Sequence, residues 1–308
     1  ESFKLHSENK YFIDGDSIND ISAGKPVFRT GLNYQAVEAT YVRASWGQGY
    51  RFPSMAELFI STNQSGLDIY PNPDLKPESG WSSEIGIKQG MKIGKWMGYI
   101  DIAAFIQQYD DMMEFSFGQW GSSESTDYYG YGFKSINVGT TRITGTELSV
   151  SGQGKINPNL TVNLIAGYTY INPISLDLDY IYEVDYGEKP LTYRNSGSDS
   201  TMLKYRYRHI AKTDVEIIYK DITIGWSMRY NSFMKNIDKI FTDPDLPLLT
   251  GISGINESRE KFKDGDLIID IRGGYQMTKT ARLGLILNNL LNTEYMSRPA
   301  NMMPPRTF

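Results

Sequence analysis

Aromatic side chains in two long polar stretches are the groups of this sequence best suited to chemistry, and that chemistry is binding. Trp120, Tyr128, Tyr129 and Tyr131 fall in an Asp/Ser/Gly/Tyr-rich run over 118–132. Tyr180, Tyr182 and Tyr186 fall in an acidic run with Asp177, Asp179, Glu183, Asp185 and Glu188. Flat amphipathic rings gathered in loops supply stacking and hydrogen bonds for siderophores, corrinoids, sugars or peptides. The same rings are equally able to pack against one another, and residue type does not decide between the two. Catalysis has little to stand on. His6 and His209 are the only histidines, and His209 sits beside Arg206 and Arg208, where a polar structural position is the simpler reading. Asp110 and Asp111 are adjacent, so in a strand they point to opposite faces and read as strand-end solvation rather than an acid–base pair. No dinucleotide fingerprint, P-loop, zinc-protease helix or nucleophile elbow occurs. The expectation is a binding protein and not an enzyme, with no catalytic residue, no cofactor and no metal held by the protein. No His or Cys stands in the aromatic loops to ligate a bare soft metal, so any metal arrives inside its own chelator.

The elements that carry these loops read as strands. Phe28, Thr30, Leu32, Tyr34 and Ala36 alternate with polar neighbours, and Val42, Ala44, Trp46 and Tyr50 do so in the next segment, 38–51. The pattern recurs at Trp81–Ile87, 98–106, Phe133–Lys155, 160–170, Leu203–Tyr219, 222–230, 267–277 and 281–287. Tight turns fall near residues 37, 94, 158, 220 and 279, at nearly regular spacing, with long polar connections between them. The early stretch Ser7–Lys25 reads as one of those loops, after a strand end at Glu1–His6. Short turns at one end and long loops at the other are the layout of a transmembrane antiparallel β-barrel. The apolar faces at 98–106, 160–170, 222–230 and 267–277 carry no charge. Asp101, Arg229, Asp266, Asp270 and Arg272 lie on the opposite face. Lipid demands such a face, because a Lys or Arg at mid-bilayer costs roughly 2–4 kcal/mol. Tyr168, Tyr170 and Tyr230 lie near the long-loop ends of their strands, where a membrane interface falls. A soluble β-sandwich also alternates, but its outer face is Lys/Glu/Thr-rich and its loops are short. Here the polar face is rich in Gly, Ser and Asn, which suits a wet lumen.

Composition agrees. The 308 residues have a mean hydropathy of −0.41. No run approaches the roughly eighteen apolar residues of a spanning helix, and a barrel needs none. A net charge of −5 leaves no basic footprint for nucleic acid. The absence of cysteine excludes disulfides and thiolate metal sites. Glu1 opens the chain with no initiator Met and no signal peptide, so the chain is read as mature, trimmed or a fragment.

One connection has its own signature. Between strands, residues 50–79 read Tyr50-Arg51-Phe52-Pro53, then Glu57-Leu58, then Asn72-Pro73-Asp74-Leu75-Lys76-Pro77-Glu78. Its prolines rule out a central strand and leave room for a helical turn at Ser54–Leu58, capped by Ser54. The two boxes, in this order and spacing, resemble the TonB-dependent outer-membrane receptors. Leu287–Tyr295 resembles that family's segment before its last strand. The resemblance runs over most of the chain.

What it implies is an all-β fold: about 11 visible strands of a plugged barrel of about 22. Residues 1–308 would be the C-terminal part of the barrel domain, and the plug would lie upstream of this chain. Pro304-Pro305 forbid a full strand ahead of Phe308, so the terminal strand is expected beyond it. The implied location is the outer membrane of a Gram-negative bacterium. The implied function is TonB-energised uptake of a scarce nutrient: a siderophore or other metal chelate, a vitamin or an oligosaccharide. Implied partners are that nutrient, membrane lipid, the plug and TonB, with a surface lipoprotein as a further one. A passive or adhesive surface barrel is the alternative, and a soluble carbohydrate-active protein a distant third. Haem receptors of the family carry a His between the boxes; here none stands between Phe52 and Asn72. Arg51 and Glu57 are ligand candidates, although packing of their own loop is the stronger reading.

Overall fold

Alternation plus two-residue turns should give a meander, and the computed structural model of the chain contains one. It describes residues 2–13, 16–64, 67–122, 129–185, 188–245, 253–296 and 301–308, with side chains from Lys25 onward except Gln64 and Leu67. A first hairpin, β1 (Ser2–Ile13) and β2 (Asp16–Gly24), is a sheet of its own. Next come β3 (Arg29–Val37) and β4 (Thr40–Arg51), then α1 (Met55–Phe59) with the short strands β5 (Thr62–Gln64) and β6 (Leu67–Tyr70). The long pair β7 (Glu78–Ile93) and β8 (Lys95–Asp110) is followed by the shorter β9 (Met113–Gln119) and β10 (Tyr131–Asn137). A second long pair is β11 (Thr141–Asn157) and β12 (Leu160–Ser175). The loop after it holds β13 (Glu183–Val184), β14 (Pro190–Leu191) and α2 (Tyr193–Ser196). The chain ends through β15 (His209–Tyr219), β16 (Ile222–Asn231), a 3-10 turn at Lys239–Thr242, α3 (Ile255–Lys261), β17 (Asp266–Gln276) and β18 (Arg282–Leu287).

Ten of these strands form one antiparallel sheet in the order β3-β4-β7-β8-β11-β12-β15-β16-β17-β18. Neighbours in sequence are neighbours in space, as short turns require. Gly94 takes φ +62 in the β7–β8 turn, the left-handed geometry a two-residue hairpin turn needs. The ladder fixes the faces. Arg43 on β4 reaches Glu84 on β7 at 2.8 Å and Asp101 on β8 at 2.7 Å. Arg272 on β17 reaches Asp214 on β15 at 2.7 Å. Both networks lie on the charged face of the sheet. Ile102 and Ile224 are on the other face and about half exposed, at 51% and 55%. Among the described residues no helix is long and apolar enough to cross a membrane, which says nothing about a barrel.

Four sequence boundaries move. Ser7–Lys25 is mostly strand, because residues 2–24 close on themselves as β1–β2. That hairpin is outside the large sheet, which therefore has ten strands where eleven were expected. The run Phe133–Lys155 is two strands, divided where Gly139 takes φ +81. The strand expected from Leu203 begins only at His209, because Tyr205 at φ +57 leaves the extended region. Finally, β7 starts at Glu78, three residues before Trp81, so the last residue of the second box is already in the sheet.

The buried apolar clusters are not in the large sheet. They sit in the long connections, which gather into a crown. Its frame is a four-stranded sheet, β5-β6-β10-β9, in which β6 and β10 run parallel. One cluster is Leu58, Leu75 and Met113; a second is Met112, Ile136, Val138, Tyr193 and Leu203; a third is Phe117, Met234, Ile237, Phe241 and Ile255.

Candidate functional site

The two boxes build one rigid joint between the large sheet and the crown. Ser54 and Glu57 form a reciprocal cap on α1: the Ser54 hydroxyl accepts from the Glu57 N–H at 3.2 Å, and Glu57 Oε2 accepts from the Ser54 N–H at 2.7 Å. Arg51 donates to both Glu57 oxygens, at 2.9 and 3.1 Å, and lies 3.8 Å from Glu78. Burial pushes the Glu57 carboxyl up, but the Ser54 N–H and Arg51 outweigh it and hold the group below its ordinary value. Tyr50 and Phe52 pack edge to face with centroids 4.7 Å apart. Pro53, Leu58 and Leu75 are buried.

The second box grips the crown. Asn72, itself buried, donates to the Ser135 carbonyl at 2.8 Å, its own N–H reaches the Leu58 carbonyl, and its Oδ1 accepts from the Asp74 N–H. Asn137 bonds both backbone groups of Lys76, at 2.8 and 3.0 Å. Glu78 accepts from the Met113 N–H at 2.8 Å. Pro73 and Pro77 have no N–H to offer, which keeps this segment a strap and not a strand. Asn72→Ala leaves a buried carbonyl without a donor, a loss of about 1–3 kcal/mol. The expected result is faster protease cleavage within residues 60–76 on intact cells, with the large sheet unaffected; unchanged cleavage would remove Asn72 from this role.

At the centre of the crown lies a buried ion pair that alternation gives no sign of. Lys204 and Asp238, 1% and 2% exposed, meet at 2.6 Å. Asp238 also accepts from the Ser116 hydroxyl at 2.7 Å, the Phe117 N–H at 2.9 Å and the Tyr205 hydroxyl at 2.6 Å. Burial pushes the Lys204 ammonium down, but Asp238 more than reverses this, and the group stays above the ordinary lysine value. Beside it, the Tyr193 hydroxyl donates to Glu114 at 2.6 Å. Burial raises the Glu114 carboxyl above its ordinary value, against Lys204 and the Tyr193 hydroxyl, which favour its charged form. The pair thus fastens β9, the segment before β15 and the segment before the 3-10 turn to one point.

Next to this knot is a cavity of about 450 Å³, within the size range of small-molecule sites. Its aromatic lining is Phe117, Trp120, Tyr131 and Tyr182, and its charged lining residues are Asp185, Asp243, Lys189 and Lys239. Lys134, paired with Glu183 at 2.8 Å, lies over the Trp120 ring. Trp120 Nε1 is shielded from solvent and has no hydrogen-bond partner among the described residues, and the shielded Tyr182 hydroxyl stands against Ser196 and Lys204.

Three of the seven loop aromatics singled out above therefore converge. Tyr129 stands apart, 46% exposed at φ +53. Tyr180 covers the β10–β11 break, where a Cβ at Gly139 would come within 2.8 Å of its ring. Tyr128 and Tyr186 lie outside the described residues. Arg51 lines a different concavity of about 520 Å³ with Tyr50, Glu78 and Tyr109. His209 lies against Tyr168 and Tyr170, with Tyr168 Oη 2.7 Å from its Nδ1.

A family model described as the TonB-dependent receptor-like β-barrel matches residues 4–290. The chain belongs to the TonB-dependent receptor family. Members of this family are outer-membrane transport receptors of Gram-negative bacteria, so the face that carries Ile102 and Ile224, charged only at its crown end by Asp110 and Arg142, is the one that meets lipid. Among curated relatives, the hemoglobin and hemoglobin-haptoglobin-binding protein A of Haemophilus influenzae is 22% identical over 212 residues, 56% of this chain and 19% of that protein. The vitamin B12 transporter BtuB of Vibrio vulnificus is 33% identical over 119 residues, 37% of this chain and 17% of that protein. Among solved structures, the ferric-catecholate import receptor Fiu of Escherichia coli K12 shares the fold, with a TM-score of 0.58 at 20% identity. The match covers 95% of this chain and 36% of Fiu, so the chain spans a minor part of the length of each of these receptors.

Proposed function

We propose that the receptor containing this chain imports an intact organic nutrient or metal chelate, captured in the crown and moved with energy from TonB. In this reading the chain is the C-terminal part of the barrel domain. A plug domain fills the lumen behind its charged face, and TonB acts on that plug from the periplasm. The observation that carries the reading is the convergence of Trp120, Tyr131 and Tyr182 on one cavity in the crown. Relatives and structural neighbours named for hemoglobin, vitamin B12 and ferric catecholates fit an importer of this kind. Residues between the boxes offer no His as an iron ligand, which favours a ligand held by stacking and hydrogen bonds.

The test is uptake by cells that carry the full receptor, with and without functional TonB, across siderophores, corrinoids and oligosaccharides. One class should accumulate only with TonB. Trp120→Ala with Tyr182→Ala should then reduce binding of that class at least about tenfold, since each buried aromatic contact contributes about 1–3 kcal/mol. Uptake that persists without TonB would instead favour a passive barrel. Wild-type affinity in the double variant would move the site toward the Tyr50–Glu78 loop.

A further inference from the structure

A second, smaller cavity of about 70 Å³ lies between α3 and the crown ends of β16 and β17, and it shares no lining residue with the larger one. Its walls are mostly apolar, with Phe233, Met234, Ile255 and Phe262, and a single carboxylate, Asp266, stands among them. In the sequence Asp266 is one more charge on the polar face of a strand. In the fold it is only 8% exposed. Asp101, Asp214 and Asp238 each hold a cation within 2.7 Å. Among the described residues Asp266 forms no ion pair, and its carboxylate accepts no hydrogen bond. Its oxygens are not sealed from solvent as Glu114 Oε1 is, so a small group in the cavity can reach them. An ionised carboxylate in apolar surroundings without donor or counter-charge is strongly unfavourable, and an incoming cation relieves it.

The resident arginine does not supply that cation. Arg259 lines the same cavity, but its guanidinium donates to the Met234 and Lys235 carbonyls at 3.0 and 2.9 Å and lies over the Phe233 ring, 4.6 Å from its centroid. A hard metal ion is a poor fit, because it takes about six or more oxygen ligands and Asp266 is the one acid of the lining. Size excludes a whole nutrient. One water needs about 10–15 Å³ of such space, so the cavity admits the end of a molecule and not its body. An ammonium group on a slim alkyl stem suits both parts of the site. Its N–H groups make charge-assisted hydrogen bonds to the carboxylate, its methylenes meet the apolar walls, and the face of an aromatic ring attracts its charge.

We propose that this cavity seats an organic ammonium group, the end of an alkyl amine, with its charge against Asp266. The site lies apart from the crown cavity and does not depend on what that cavity captures.

The experiment uses the full receptor purified from the outer membrane. Three probes of one size and different charge are titrated by saturation-transfer NMR: n-propylammonium, 1-propanol and propionate. The ammonium is expected to bind at least about tenfold tighter than the alcohol, and propionate not to bind. Asp266→Asn keeps the shape of the side chain and removes its charge. It should bring the ammonium down to the level of the alcohol, with the crown as resistant to protease as before, because the carboxylate makes no bond within the protein. Trp120→Ala with Tyr182→Ala should leave ammonium binding unchanged, which separates this site from the capture site. No saturable signal from the ammonium overturns the proposal, as do equal binding of all three probes and tighter binding of propionate, which would give the cavity to Arg259. An unchanged preference in Asp266→Asn overturns it too. Displacement of the ammonium by an equal concentration of potassium chloride would make this a site for a bare cation, and the proposal would fall. Should Asp266→Asn not reach the membrane, the three probes on the unaltered receptor still decide.

Discussion

Asp238→Ala should unfold the crown and leave the membrane sheet standing. Removing this carboxylate strands the Lys204 ammonium at 1% exposure with its counter-charge gone. It also takes the acceptor from the Ser116 hydroxyl, the Phe117 N–H and the Tyr205 hydroxyl. Breaking one side of a buried pair costs about 3–5 kcal/mol, because the remaining charge is uncompensated. That is a large share of what any single domain has to lose. The strands of the large sheet depend on their own ladders and on lipid, not on this knot, so they should be spared. On intact cells, protease should cut within residues 172–208 and 232–264 of the variant. The folded barrel should still run as a heat-modifiable band. Protease resistance equal to wild type would show that the crown does not depend on the pair.

A lysine on the lipid side of the sheet should harm assembly far more than one on the lumen side next to it. Ile224 and Thr223 are consecutive residues of β16, yet the ladder puts Thr223 on the face of Arg229 and Ile224 on the lipid-facing one. Ile102 lies on that lipid-facing side of β8, opposite the strand face that holds Asp101. Ile102 lies midway along β8, so Ile102→Lys should cost about 2–4 kcal/mol; Ile224 lies nearer the turn end of β16, so Ile224→Lys should cost less, whereas Thr223→Lys meets water. The yield of folded receptor in the outer membrane should fall most for Ile102→Lys, less for Ile224→Lys and least for Thr223→Lys. Equal yields for all three substitutions would mean that the faces have been assigned the wrong way round.

The large sheet was legible because a strand repeats every two residues and lipid tolerates no charge on one of its faces. Both rules act locally, so Ile100, Ile102 and Ile106 against Tyr99, Asp101 and Phe105 can be sorted by eye. The crown obeys neither rule. Lys204-Tyr-Arg-Tyr-Arg-His209 alternates as well as any strand, but Tyr205 turns left-handed and Lys204 goes into the core. Nothing in the residues around Lys204 announces a partner 34 positions away. The candidate site was half legible. Residue type pointed to Trp120, Tyr131 and Tyr182 but could not separate them from Tyr129 and Tyr180. That separation depends on which loop folds against which, and loops carry no period. Ser196, Lys189 and Lys239 had no signal at all, because they line the cavity only through the path of the backbone.

The knot around Asp238 also sets an order of events. Its bonds to Ser116 and Phe117 span 122 and 121 positions of the chain. Closing so long a segment from a disordered state is entropically unfavourable and slow. Once β11, β12, β15 and β16 have zipped together, the same ends are held a few strands apart, and the closure needs only loop motion. The crown should therefore be the last part to form, and its amides the last to gain protection from hydrogen exchange. The Phe117 amide, bonded to Asp238, is then a built-in timer: its protection marks the moment at which the receptor becomes able to bind.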